Sequence, residues 1–112
     1  MNVPIEQTFQ TFPREQREAI ISCGAALRLS SLEKRLFLAQ SKVRHLEEKY
    51  KTTLAQLDSD GLPDYADYEM HEDYILWHHW AQVIQAIQKD IAALQEIAWQ
   101  GFPLRELADA GY

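Results

Sequence analysis

Two stretches decide the fold: residues 29–50, LSSLEKRLFLAQSKVRHLEEKY, and residues 70–98, MHEDYILWHHWAQVIQAIQKDIAALQEIA. In the first, Leu29, Leu32, Leu36, Ala39, Val43, Leu46 and Tyr50 recur at spacings of three and four. In the second, Met70, Asp73, Trp77, Trp80, Ile84, Ile87, Ile91, Leu94 and Ala98 do the same. A repeat averaging about 3.5 residues keeps its side chains on one helical stripe, the seam of a coiled coil. With Leu29 as an a position, Arg28, Arg35, Lys42 and Lys49 form a flanking column whose aliphatic stems can lie over the seam. The column flanking the second seam is Leu76, Val83, Asp90 and Ile97, so that helix has a further apolar face to bury.

Working outward, the first long helix is expected to stop near Tyr50 or Lys51, because Thr52 and Thr53 are β-branched neighbours that disfavour a helix interior. Thr53 and Gln56 fit a capping box that opens a short turn over 53–58. The connector then runs Asp58-Ser59-Asp60-Gly61-Leu62-Pro63, and Asp64 or Asp67 caps the second helix. A short connector folds the two helices back as an antiparallel hairpin. In the register expected here facing residues sum to 130, pairing Tyr50 with Trp80, Leu46 with Ile84 and Val43 with Ile87. It leaves Asp73 at the wet end beside Leu57. A shift of one heptad would set Asp73 against Tyr50, deeper in the seam, where an unpaired carboxylate costs several kcal/mol.

The fold class expected is therefore all-α: an antiparallel coiled-coil helical hairpin over 29–98, with short terminal helices. Residues 1–28 form an N-terminal arm, where Pro13 suits a helix start and Gly24 and Ser30-Ser31 are candidate breaks. Residues 99–112 form a tail with a short amphipathic turn. One stripe is little core for 112 residues. A homodimer that buries Leu76, Val83 and Ile97 in a helical bundle completes it.

Charge is divided along the chain. Residues 1–57 hold nine basic and six acidic residues; residues 58–112 hold two basic and eleven acidic ones. Seven acids and no base fall within 58–73: Asp58, Asp60, Asp64, Asp67, Glu69, Glu72 and Asp73. With a net charge of −6, the chain is repelled by phosphate, so direct nucleic-acid binding is not expected. A single cysteine, the absence of a leader pattern and the lack of a long apolar run point to a reducing cytoplasm.

No catalytic group or cofactor emerges. Asp58-Ser59-Asp60-Gly61 places glycine fourth, where a calcium loop needs it sixth. His71, His78 and His79 lack the one-turn spacing of a metal pair. Cys23 has no base beside it in sequence and reads as a small, semi-buried residue. Trp77 and Trp80 suit either the seam or a partner-binding hot spot. In the tail, Phe102, Leu104 and Leu107 give an apolar side too small for a core.

The run Leu46-Glu47-Glu48-Lys49-Tyr50, the Thr-capped turn, Gly61-Leu62-Pro63-Asp64, and Tyr68-Glu69-Met70-His71-Glu72-Asp73-Tyr74-Ile75-Leu76-Trp77 resemble small helical proteins of prokaryotes. These are often encoded beside a small toxin and regarded as antitoxins of toxin–antitoxin modules. The likeness covers about residues 30–97. It departs at Lys51, where the pattern has Gly after the Lys-Tyr pair. The resemblance implies a non-enzymatic protein that binds and neutralises a small basic toxin encoded by an adjacent gene. Asp58, Asp60, Asp64, Asp67, Glu69 and Glu72 would steer that association. Trp77, Phe102, Leu104 and Leu107 would hold it. The rival expectation is a structural or adaptor homodimer with no toxin.

Overall fold

A computed structural model describes residues 4–101 of the chain. Four helices follow one another: α1 (Ile5–Gln10), α2 (Arg14–Tyr50), α3 (Leu54–Asp60) and α4 (Tyr68–Gly101). No strand is present among the described residues. The described residues divide into two compact units, one of residues 4–31 with 90–101, the other of residues 32–89.

In the first unit, Pro13 opens α2 as expected, its carbonyl accepting from the Arg17 amide at 3.0 Å. Arg17 Nη1 donates to Gln10 Oε1 at 2.7 Å and ties α1 to α2. The helix does not break at Gly24 or Ser30-Ser31. A lone Gly costs a helix only about 1 kcal/mol, and the three-four spacing continues upstream through Ser22 and Ala25, both buried. Ser22 is polar and Ala25 only weakly apolar, so the sequence marks this part of the stripe faintly, and the helix passes through residue 28 without a boundary. Cys23 is exposed, not semi-buried.

The second unit holds a core of Leu46, Leu57 and Trp77, with Val43, Tyr50, Leu54, Leu62, Met70 and Tyr74 packed against it. Leu32, Ala39 and Ile87 are also buried. Every buried residue of α2 and α4 in this unit lies on the three-four stripe read from sequence, as amphipathic packing requires.

The register differs from the expected one. Tyr50 stacks on Trp77 with ring centroids 6.2 Å apart, and its hydroxyl donates to Asp73 Oδ2 at 2.5 Å. Asp73 therefore lies against Tyr50, one heptad from the arrangement in which Tyr50 meets Trp80, and not at the wet end beside Leu57. Pairing removes the penalty that argued against this register: Asp73 also accepts from Lys49 Nζ at 2.6 Å. A carboxylate bonded to a cation and a hydroxyl is a satisfied group.

Candidate functional site

The acidic elbow is built by two turns and a short helix. α2 ends at Tyr50, and Lys51 takes the left-handed conformation, φ 55°. Only glycine adopts that freely, so Lys51 stands where the backbone favours Gly. Thr53 caps α3, accepting from the Gln56 amide at 3.2 Å. The second half of the capping box is absent, because the Gln56 side chain donates to Asp60 Oδ2 instead. α3 runs to Asp60, so Asp58 and Asp60 are helical residues and not connector residues. Gly61 closes it at φ 78°. Asp67 starts α4, its Oδ1 accepting from the Met70 amide at 2.9 Å.

Two polar networks hold this elbow. In one, Lys49 Nζ donates to Glu69 Oε1 and Asp73 Oδ2, each at 2.6 Å, while Tyr50 adds its hydroxyl. Lys49 keeps Asp73 below the usual carboxylate range, with Tyr50 helping. Asp73 and then Glu69 raise Lys49 above an ordinary lysine. Burial, with the bond to Asp73, raises Tyr50. In the other network, Asp58 Oδ1 accepts from the Tyr74 hydroxyl at 2.5 Å and lies 2.8 Å from His78 Nε2. The Tyr74 bond, then His78, lowers Asp58, and Tyr74 rises in return.

Beside these networks a cleft of about 470 Å³ opens, floored by Leu57, Leu62 and Met70, with Asp60, Asp64 and Tyr65 also lining it. Among the described residues, no group of three or more His, Cys, Asp or Glu could hold a metal ion.

Asp58, Asp60, Asp64, Asp67, Glu69 and Glu72 are all exposed. Asp64 and Glu72 form no ion pair or side-chain hydrogen bond among the described residues, whereas the other four are engaged within the chain. Trp77, at 1% exposure, lies in the core, in one cluster with Leu46 and Leu57 and with Tyr50 packed against it. Leu76 and Ile97 are exposed and Val83 half-buried. Phe102, Leu104 and Leu107 lie outside the described residues.

Sequence reasoning missed Lys49, Tyr50 and Asp73 as a unit. The signal was present as a carboxylate on an apolar stripe, which demands a partner. It also missed the pairing of Asp58 with Tyr74 and His78, which depends on how α3 packs. No family model, curated protein or solved structure matches the chain. No helix among the described residues is long and apolar enough to cross a membrane.

Proposed function

We propose that the chain is a non-enzymatic, antitoxin-like protein that binds and neutralises a small basic protein through its acidic elbow. One observation carries this reading. Among the described residues, the seven carboxylates of residues 58–73 are answered by one lysine, Lys49, and one histidine, His78. The elbow keeps a strong negative field, and Asp64 and Glu72 are free to meet cations on a partner. The resemblance to antitoxin components supports the same class. In this reading the long helices continue as an antiparallel coiled-coil hairpin, in the register that sets Tyr50 against Asp73. The test is co-expression with the product of the adjacent gene, followed by co-purification and growth rescue. A product that is neither toxic nor retained by the chain would overturn the reading.

A second reading, a coiled-coil homodimer acting as a structural adaptor, is favoured by the large apolar residues left in solvent. Phe37 and Leu38 on α2 are 66% and 53% exposed, and Ile75 and Leu76 on α4 are 62% and 47% exposed. Sedimentation at micromolar concentration tests it: Leu76→Glu should dissociate the dimer and leave helix content intact, and a wild type that is already a stable monomer refutes it.

A further inference from the structure

The two positive-φ residues of the described chain, Lys51 and Gly61, stand one at each end of the segment that carries α3. The helix between them contributes one buried residue, Leu57, together with the half-buried Leu54. Both belong to the cluster around Trp77. In the same cluster, the indole N–H of Trp77 is buried and has no acceptor among the described residues. Asp58 provides the polar attachment of α3 to α4, through Tyr74 and His78. A short helix with few apolar contacts, one polar latch and an unusual backbone at both ends has the features of a low-stability local unit.

We propose that α3 is a hinged lid over Trp77, latched by Asp58, which opens without unfolding α2 or α4. Opening gives the indole N–H access to solvent, where it gains the acceptor it lacks when covered. Only the use of the opened state, making Trp77 available to a partner, rests on the partner-binding reading; the opening itself does not. Gly61 offers a control independent of the latch. A Cβ there would meet nothing within 4 Å, yet its φ of 78° disfavours any other residue.

Hydrogen exchange followed by NMR on the full chain, with no partner present, tests the lid. In wild type the Trp77 indole proton should exchange faster than the backbone amides of Leu46 and Ile87. Asp58→Ala should speed the indole about tenfold; the amides can gain at most the same factor, so the indole should remain the faster to exchange. Tyr74→Phe removes one of the two latch contacts and should give a smaller change of the same kind. Gly61→Ala should also speed the indole by straining the closed hinge. Should the indole exchange only in step with the Leu46 and Ile87 amides, in wild type and in every variant, the lid does not exist. Because no toxin enters this experiment, that failure would leave the partner reading to its own test.

Discussion

Asp73 is the residue on which the helix register turns. Its carboxylate sits on an apolar stripe, with a side chain only 15% exposed, and is tolerable there because Lys49 and Tyr50 bond to it. Removing one side of such a contact leaves the other desolvated, so Asp73→Ala should lower stability by about 1–3 kcal/mol in denaturant unfolding. The same carboxylate predicts an acid limb. Its folded pKa lies below the ordinary 3.8, so its contribution is complete above that value and disappears as pH falls through the lower folded value. Lys49 and Tyr50 work at the other end. Their folded pKa values lie above 10.5 and 10.0, so what they contribute is complete below those values and is lost as pH rises through the higher folded ones. Thermal melts should show both limbs, and in Asp73→Asn both should flatten. Lys51 gives a prediction of opposite sign. A left-handed non-glycine residue costs roughly 1–2 kcal/mol, partly offset by the extra freedom glycine has when unfolded. Lys51→Gly should therefore stabilise the chain by up to about 1 kcal/mol, visible as a shift in denaturant midpoint with an unchanged slope.

At the scale of elements, the long helices were legible because a three-four apolar repeat has few other interpretations. Leu32, Ala39, Leu46, Trp77 and Ile87 all lie on the predicted stripes and all are buried. Ile87→Ala should accordingly cost about 2–5 kcal/mol, since the stripe cannot close over the missing atoms; a loss below 1 kcal/mol in equilibrium unfolding would show that this part of the stripe is loosely packed. The end of α2 at Tyr50, the Thr53 cap and the Asp67 cap were legible too, because caps depend on near neighbours. Two things were not. The upstream reach of α2 to Arg14 buries Ser22 and Ala25, which pack by being small and leave only a faint apolar mark. The register was misjudged because a heptad repeat matches itself after every seven residues. Only the partners of Asp73 break that degeneracy, and they come from another helix.

Across the whole chain, seven of the 17 acidic residues gather between residues 58 and 73. The seven acids of 58–73 were visible in the sequence, but their division of labour was not. Asp58, Asp67 and Glu69 serve the fold through Tyr74 and His78, the Met70 amide and Lys49. Asp60 receives the Gln56 amide group, and Asp73 belongs to the core network. Neutralising all of them together would confound binding with stability. Asp64 and Glu72 are the clean probes, since both are exposed and make no side-chain contact of this kind among the described residues. Exposed charges act mainly on encounter and are screened beyond about 10 Å at 0.1 M salt. The paired variant Asp64→Asn with Glu72→Gln should therefore slow association with the adjacent-gene product several-fold at low salt. The dissociation rate should change little, and the difference should shrink as salt rises. The melting temperature should stay near that of wild type, since neither residue supports the fold. Stopped-flow mixing across a salt series reads all of this at once. An association rate that ignores both the substitutions and the salt would mean that the elbow is a solvated bend, and the binding surface would then have to lie on the exposed apolar residues of α2 and α4, Phe37 and Ile75 among them.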